Sequence, residues 1–414
     1  MGLTRRSFLH LGGMGLMATA CGPTRSGLLA DAALPAEAGL SLQAFPARRV
    51  GEPLLVVVFL RGGADGLSLV PPVGDAHYAQ ARGALALAEV LPFATGFGLH
   101  PALAPLLPIV ERGELAVVHA VGSPDPTRSH FEAQDFMELG APGRSGLRDG
   151  WMSRALRGAS VGDPFACLAL AERLPLSLRG AGCFAIGDTT SFGIRGARPD
   201  ERDALASLYA AAEDDPVARA GRHALAALSE YERLVGRPAG GRAGRGRRKP
   251  GLAESARQLL AVEEAGLPLR AVFLESHDWD THTRQGAEDG ALAGRARDLA
   301  EGVALLEASL RGRRELLLAV MTEFGRTVRP NGSGGSDHGH GSVMLLAGPR
   351  VRGGLYADWR GLAERDLHEG RDLSVATDWR SVLHEVLVAH LGVAPPDDTF
   401  PGFRPEALHL FQVG

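Results

Sequence analysis

Cysteine is scarce in this chain: its 414 residues include three, Cys21, Cys167 and Cys183. So small a number excludes a disulfide-rich scaffold. Cys21 lies in the N-terminal leader described below, so a processed protein would keep Cys167 and Cys183. We expect these two either to form one bridge in an oxidising compartment or to pack as small buried hydrophobic side chains.

A strong excess of one charge is also missing. Lys and Arg together number 44 against 48 Asp and Glu, which gives a formal net charge of −4. Binding to a phosphate backbone requires a concentrated basic surface, so we expect no nucleic acid partner. The one basic run, at residues 237–251, is laced with glycine and is typical of a flexible surface loop.

The N-terminal leader lacks the length of a membrane span. Its apolar stretch, residues 8–20, has thirteen residues, three of them glycine, whereas a spanning helix needs about 20. The stretch follows Arg5-Arg6, a pattern that predicts a twin-arginine export signal over residues 1–30. We therefore expect no permanent membrane span.

Export should place the mature protein in the periplasm or outside the cell, after passage through the twin-arginine machinery. Cleavage is expected shortly after Ala20, because Ala18-Thr19-Ala20 suits a signal peptidase. A lipoprotein anchored through Cys21 is the less favoured alternative, because Ala18 stands where a Leu is usual.

Alternating strand and helix patterns make up the rest of the chain. Apolar runs typical of buried parallel strands occupy residues 54–60, 115–121, 269–274, 316–321 and 343–347. Helical spacing occurs at residues 101–111, about 129–139 and about 291–310. The alternation predicts an α/β fold, a three-layer α/β/α sandwich. We expect residues 50–414 to form a single domain, with a mixed, largely helical insertion at about 165–268.

Two short segments concentrate acids and imidazoles. They are residues 276–282, with the sequence SHDWDTH, and residues 335–340, with the sequence GSDHGH. Each follows a strand-like run, so its side chains should emerge at the sheet edge where open α/β folds bind ligands. Interleaved Asp and His supply the donors that zinc and manganese prefer. The alternative is that both segments are ordinary solvated loops.

The order of these groups resembles the alkaline phosphatase superfamily, which includes sulfatases and cofactor-independent phosphoglycerate mutases. The resemblance rests on an acid after the first strand, a hydroxyl at a helix start and two paired motifs: Asp65, Ser129, Asp278-x-x-x-His282 and Asp337-His338-Gly339. It implies a sandwich of the alkaline phosphatase-like type.

Within that superfamily, the chain is most similar to an exported family of unknown function, DUF1501. Four segments carry the similarity: residues 59–66 (FLRGGADG), 128–131 (RSHF), 280–282 (DTH) and 322–327 (TEFGRT). The name of this family assigns no reaction.

The superfamily resemblance implies two divalent metal ions that together transfer a phosphoryl or sulfuryl group. Zinc or manganese is expected, calcium or magnesium less so. Five residues carry over by motif as metal ligands: Asp65, Asp278, His282, Asp337 and His338. His340 is the nearest candidate for one further ligand, and its alternative is a solvated loop residue.

The expected nucleophile is Ser129, because a helix N-terminus favours both an anion and a developing alkoxide. Ser129 and Glu132 also form a capping box, a purely structural use of the same residues. Thr127 is the next candidate. The segment 124–128 (PDPTR) aligns with the sulfatase nucleophile motif but has Pro124 at the nucleophile position, which argues against a formylglycine sulfatase.

Further polar residues stand in the same segments. We expect Arg61, Arg326 and His130 to bind the anionic ester, with buried ion pairs as the alternative for the two arginines. Glu323 and Asp280 are expected to orient a metal-bound imidazole, with direct ligation as their alternative.

Two functions from different classes follow. The first is an exported metal-dependent hydrolase of phosphate or sulfate esters, whose anionic substrate could include a glycan. The second is a non-catalytic exported protein that uses the same scaffold to bind a glycan or an envelope partner. Fold resemblance alone does not decide between them.

Overall fold

The computed structural model describes residues 51–144, 146–157, 165–180, 183–187, 199–212, 215–235 and 249–412. The predicted export signal at residues 1–30, including Cys21, lies outside the described residues. The same holds for most of the basic run at 237–251, of which the structure describes the last three residues.

The described strands fall close to the apolar runs of the sequence. In chain order they are β1 Pro53–Leu60, β2 Leu91–Ala94, β3 Phe97–Leu99, β4 Leu115–Gly122, β5 Cys167–Leu170, β6 Phe184–Ala185, β7 Ala271–Ser276, β8 Glu315–Thr322, β9 Ser342–Ala347, β10 Gly354–Tyr356 and β11 Thr377–Asp378. The five strands predicted from sequence correspond to β1, β4, β7, β8 and β9 and are confirmed.

The α-helices of the described chain are α1 Gly66–Leu69, α2 Tyr78–Arg82, α3 Leu107–Glu111, α4 His130–Leu139, α5 Trp151–Leu156, α6 Pro199–Ala210, α7 Pro216–Val235, α8 Leu252–Glu264, α9 Ala291–Leu310 and α10 Trp379–Ala389. The predicted helix at 101–111 begins as a 3-10 helix, Pro101–Leu106, and continues as α3. Among these described helices, none has both the length and the apolarity needed to cross a membrane.

The main sheet has nine strands in the order β10-β4-β9-β8-β1-β7-β5-β6, with β11 beside β4. β1 is parallel to both neighbours, so that Val58 lies beside Leu274 on one side and Val320 on the other. β9 runs antiparallel to β4 and to β8. The carboxyl ends of β1, β4, β7 and β8 therefore share one edge of the sheet.

Helices cover both faces of the sheet. Alternate residues of a strand point to opposite faces, and in β1 the residues Leu54, Val56 and Val58 join one buried cluster with α8 and α9. Leu55 and Val57 join the other, with α5 and α10. Because helices cover both faces of β1, its sequence is a continuous apolar run and does not alternate between apolar and polar residues. The predicted three-layer α/β/α architecture is confirmed.

The predicted insertion at 165–268 differs at its start. β5 pairs in parallel with β7, and β6 pairs with β5, so these two strands extend the main sheet. The helical character appears later, in α6, α7 and α8. α8 packs against α9 in the layer that covers the sheet. Short strands with few residues carry little periodicity, which is why the sequence pattern did not place β5 and β6 in the sheet.

Candidate metal centre

Four loops meet at the shared carboxyl edge. They follow β1, β4 and β7 and connect β8 to β9. Gly62, in the loop after β1, has φ 123°, and a Cβ there would lie 2.5 Å from the amide nitrogen of Asp280 in the loop after β7. Only glycine accommodates both that dihedral and that approach. The glycine thus permits the two loops to touch.

Three side chains from three of these loops form a cluster: His130, Asp280 and His338. Their ligand atoms all lie within 4.8 Å of one another. His130 Nε2 is 3.5 Å from Asp280 Oδ2, and His338 Nε2 is 3.4 Å from Asp280 Oδ1. Two imidazoles and a carboxylate form a donor set typical of zinc.

His282 adds a fourth donor to this group. Its Nε2 lies 3.1 Å from Asp280 Oδ1 and 2.9 Å from His338 Nε2. His282 comes two residues after Asp280 in the same loop, and His338 comes from the β8–β9 loop. The group therefore brings together the two segments, 276–282 and 335–340, whose sequences predicted a metal site.

Each of the three imidazoles is held through its Nδ1 by an oxygen. His130 Nδ1 is 2.8 Å from Glu323 Oε1, His338 Nδ1 is 2.7 Å from the carbonyl oxygen of Arg128, and His282 Nδ1 is 3.0 Å from Asp337 Oδ1. Carbonyl and carboxylate oxygens accept hydrogen bonds, so Nδ1 carries the hydrogen when the ring is neutral. The lone pair of each neutral ring is then on Nε2, which faces Asp280.

This geometry fits a cation. In neutral rings, the Nε2 lone pairs of His282 and His338 would face each other across 2.9 Å, which is repulsive unless a proton or a metal ion lies between them. His130 Nε2 is buried and has no hydrogen-bond partner in the structure. A buried polar atom without a partner is costly. A divalent ion held by His130, Asp280 and His338 would give this nitrogen a partner.

The charges around the cluster favour an ionised Asp280 and a neutral His338. Burial opposes ionisation of Asp280, but the hydrogen bond and charge of Arg326 outweigh it, so the pKa of Asp280 is lowered. Burial lowers the pKa of His338. The hydrogen bond to Glu323 raises the pKa of His130. An anionic carboxylate and a neutral imidazole are the forms that bind metal.

Asp65 reaches the same edge but is directed elsewhere. Its buried carboxylate pairs with Arg82, accepts from Ser68 Oγ at 2.9 Å and accepts from Gln285 Nε2 at 2.6 Å. Burial raises the pKa of Asp65, but the charge of Arg82 and the hydrogen bonds from Gln285, Arg82 and Ser68 together lower it overall. The carboxylate is neutralised by a buried arginine, and these hydrogen bonds use its lone pairs. Asp65 is therefore not among the proposed metal ligands.

Asp337, Asp278 and His340, which were also predicted as ligands, contact other groups. Asp337 accepts from Asn331 Nδ2 at 3.0 Å and holds His282, so it lies one step outside the cluster. Asp278 is exposed and pairs with Arg295 at 2.8 Å. His340 Nε2 is 2.8 Å from the carbonyl oxygen of Ser123. Of the five residues expected to bind metal, His282 and His338 therefore place a nitrogen beside Asp280.

The two arginines expected to bind an anion are engaged by the protein. Arg61 lies 2.7 Å from Glu275 and 2.6 Å from Glu138. Arg326 is 1% exposed and donates to the carbonyl oxygens of Gly62 at 2.5 Å and Gly63 at 2.7 Å, besides its pair with Asp280. Both arginines therefore form ion pairs within the protein, although Asp280, the partner of Arg326, is 44% exposed.

The hydroxyls expected near the ester sit at the start of α4. Ser129 is the N-cap residue, and its Oγ accepts from the amide of Glu132 at 3.5 Å. Thr127 Oγ1 donates to Glu132 Oε2 at 2.8 Å. Ser129 precedes His130 of the cluster, so a nucleophile at this position would be next to the metal ligands in sequence.

Two members of the cluster are not among the metal ligands that the sequence predicts. Asp280 was expected to orient an imidazole and His130 to bind substrate, whereas the structure brings both to the centre. Their position after β7 and β4 was the available signal, because both strands end at the shared edge. The carbonyl of Arg128 and the amide of Gln134, which donates to Glu323 Oε1 at 2.8 Å, carry no sequence signal of their own.

Comparison with known proteins gives one family match. A family model described as "Protein of unknown function (DUF1501)" matches residues 113–397, more than half of the chain. The matched range includes His130, Asp280, His282 and His338. Among curated proteins, no sequence matches the chain.

Solved structures of low identity also resemble the chain. Phosphonate monoester hydrolase from Silicibacter pomeroyi is 11% identical, with a TM-score of 0.42, over 87% of this chain and 76% of the hydrolase. The C-terminal periplasmic domain of EcEptC from Escherichia coli, in complex with Zn, is 10% identical, with a TM-score of 0.37, over 88% and 92%. TAB5 alkaline phosphatase, a mutant with Mg bound, is 12% identical, with a TM-score of 0.33, over 74% and 95%. All three TM-scores are below 0.5.

Proposed function

The chain belongs to the DUF1501 family of proteins of unknown function, and we propose that it is an exported metal-dependent hydrolase of phosphate or sulfate esters. The observation that carries the proposal is the facing pair of Nε2 atoms, in His282 and His338, at 2.9 Å beside the carboxylate of Asp280. In neutral rings held through Nδ1, these two lone pairs repel each other unless a cation or a proton is shared between them.

The proposed ligands are His130, Asp280, His282 and His338. Imidazole and carboxylate donors suit zinc or manganese better than calcium or magnesium. When bound, such an ion supplies Lewis acidity to the oxygen of an ester. One ion is proposed, because the donors of these four residues gather around the single carboxylate of Asp280.

Two more exposed arginines are proposed to bind the charge of the ester. Arg128 and Arg371 are 28% and 42% exposed, and both flank His338: the carbonyl of Arg128 accepts from His338, and Arg371 donates to the carbonyl of His338. Both also pair with Asp372, and Arg128 pairs with Glu369, so their exposure is what distinguishes them from Arg61 and Arg326. Guanidinium groups bind phosphate and sulfate oxygens in pairs. They replace Arg61 and Arg326 in the proposal.

Ser129 is the proposed nucleophile, and Thr127 is the next candidate. The Ser129 hydroxyl accepts one long hydrogen bond from Glu132 and keeps its own hydrogen to donate. That same capping contact also supports the second candidate function, a non-catalytic glycan or envelope-partner protein, since capping alone explains the residue.

Metal analysis of the full chain, purified from the exported fraction, tests the proposal. We expect about one zinc or manganese ion per chain, lost in His338→Ala and in His130→Ala. His77→Ala is the matched control, because His77 is an exposed imidazole outside the cluster. Wild-type protein that binds neither metal would overturn the proposal.

The same preparations are then assayed on a panel of phosphate and sulfate esters. Hydrolysis by the wild type and by His77→Ala, but not by His338→Ala, is the expected result. A wild type that holds metal and hydrolyses no ester would favour the non-catalytic candidate.

A further inference from the structure

A cleft of about 340 Å³ opens beside the candidate metal centre. Asp280 belongs to both, so a molecule in the cleft would be next to the cluster. The cleft extends from the loop after β7 to the first turn of α9. Its volume lies at the lower end of the range for ligand sites, about 300–1,000 Å³.

The residues that line the cleft are of two kinds. Asp278, Thr283 and Arg295 are polar, and Asp278 Oδ2 accepts from Arg295 Nη2 at 2.8 Å. Gly290, Ala291 and Gly294 are small and lie at the start of α9. Among the described residues that line the cleft, none is aromatic and none is a large aliphatic side chain.

Asp278 is held in an uncommon conformation. Its φ is 67°, in the left-handed region, which Asp tolerates better than most residues but which still marks a constrained position. The next residue, Trp279, is fully buried, and its Nε1 donates to Ser276 Oγ at 2.9 Å. This anchor keeps the exposed carboxylate of Asp278 at the cleft beside Arg295.

We infer that this cleft holds the alcohol part of the ester and that this alcohol is polyhydroxylated, a sugar or another polyol. The inference rests on the proposed function and names its substrate class. Each hydroxyl both donates and accepts a hydrogen bond. The carboxylate of Asp278 only accepts hydrogen bonds and the guanidinium of Arg295 only donates them, so together they match two adjacent hydroxyls. The described lining has no aromatic side chain on which an aryl ring could stack.

The reaction that places the alcohol there is a hydrolysis. The bond between phosphorus or sulfur and the alcohol oxygen breaks, and water supplies a hydroxyl to the released phosphate or sulfate. The remaining proton of that water ends on the alcohol oxygen. The freed alcohol is the product that leaves through the cleft.

Kinetics with two phosphate esters test the substrate class. We expect kcat/KM for a hexose 6-phosphate to exceed that for phenyl phosphate by about tenfold or more, as for a site built to hydrogen-bond hydroxyls. Equal values for the two esters, or a preference for phenyl phosphate, would overturn the inference and leave the proposed hydrolase standing. If neither ester nor any other of the panel is hydrolysed, the proposed function fails first.

Gly294→Phe tests the location. A Cβ at Gly294 would meet nothing within 4 Å, so the ring can enter the cleft without displacing the fold. We expect kcat/KM for the hexose ester to fall about tenfold or more, with metal content and melting temperature unchanged. Glu301→Phe is the matched control, because it lies two turns further along the same face of α9, about 10 Å away, and does not line the cleft.

Arg295→Met provides a second variant that leaves Gly290 and Gly294 unchanged. It keeps an unbranched apolar stem and removes the guanidinium donors, so the preference for the hexose ester over phenyl phosphate should disappear. A preference that survives in both Gly294→Phe and Arg295→Met would place the alcohol outside this cleft and overturn the inference.

Discussion

At the scale of single residues, Glu323 governs the orientation of a proposed metal ligand. It is 1% exposed, and its carboxylate accepts from His130 Nδ1 at 2.8 Å, from Gln134 Nε2 at 2.8 Å and from the amide of Gly62 at 2.9 Å. Burial opposes the ionisation of Glu323, yet these hydrogen bonds lower its pKa. An anionic partner on Nδ1 directs the Nε2 lone pair of His130 and makes it a better donor.

Glu323→Gln should weaken metal binding while the fold persists. The amide keeps an oxygen for one of the three donors but removes the charge, so we expect the metal dissociation constant to rise about 10–100-fold. Competition with a chelator of known affinity measures this constant. Glu111→Gln is the control, since Glu111 is exposed at the opposite edge of the sheet. An unchanged constant in Glu323→Gln would exclude this orienting role.

At the scale of elements, α4 carries both structure and proposed chemistry in its first turn. Ser129 has the extended backbone of an N-cap residue, φ −86° and ψ 118°, and Glu132 stands in the first turn where the helix dipole favours an acid. At the other end, Gly140 closes the helix with φ 66°. The helix start therefore presents His130 to the cluster whether or not Ser129 reacts.

Substitutions at Ser129 separate the two roles. Asp keeps an oxygen that can cap the helix but is no hydroxyl nucleophile, so Ser129→Asp should retain stability and metal content yet lose ester hydrolysis by several orders of magnitude. Ser129→Ala should lose activity similarly and cost roughly 0.5–1 kcal/mol of unfolding free energy, because the capping hydrogen bond is long.

Steady-state kinetics and denaturant unfolding on the same preparations measure both effects. Hydrolysis near the wild-type rate in both Ser129 variants would assign the nucleophile elsewhere, with Thr127 tested next.

At the scale of the whole molecule, buried histidines couple stability to pH, and His119 and His390 are the two with the largest effect. His119 is fully buried in β4, where its Nε2 donates to the carbonyl oxygen of Val70 at 2.9 Å. His390 is 4% exposed at the end of α10. Burial lowers the pKa of each from 6.5 to about 4. Both rings are therefore neutral in the folded protein at neutral pH.

Stability should fall as the pH drops below about 6.5. Between pH 6.5 and 4 the unfolded chain binds protons at these rings and the folded protein does not, so each histidine should remove about 2 kcal/mol of unfolding free energy by pH 5. Above pH 7 the contribution is constant. Denaturant unfolding of metal-free protein from pH 8 to 5 measures the slope.

Two variants assign that slope. His119→Gln should be less stable at neutral pH but show a shallower fall, because one of the two groups no longer titrates. The exposed His77→Gln should keep the wild-type slope. A slope unchanged in His119→Gln would show that other groups cause the acid sensitivity.

The sequence by itself determined the layers, the main strands and the edge at which the chemistry gathers. Apolar runs of strand length mark β1, β4, β7 and β8 because a strand buried on both faces must be apolar at every position. The predicted helix at about 291–310 coincides with α9 for a similar local reason, its 3.6-residue period.

Only the tertiary structure decided which donors face one another. Arg82 neutralises Asp65 and Arg295 draws Asp278 outward, whereas Arg326 holds Asp280 in the cluster. The direction of a carboxylate follows from the nearest cation, and that cation comes from a different loop or helix. Such pairing depends on three-dimensional distance, because Coulomb attraction is set by separation in space and by burial, which the order of residues does not record.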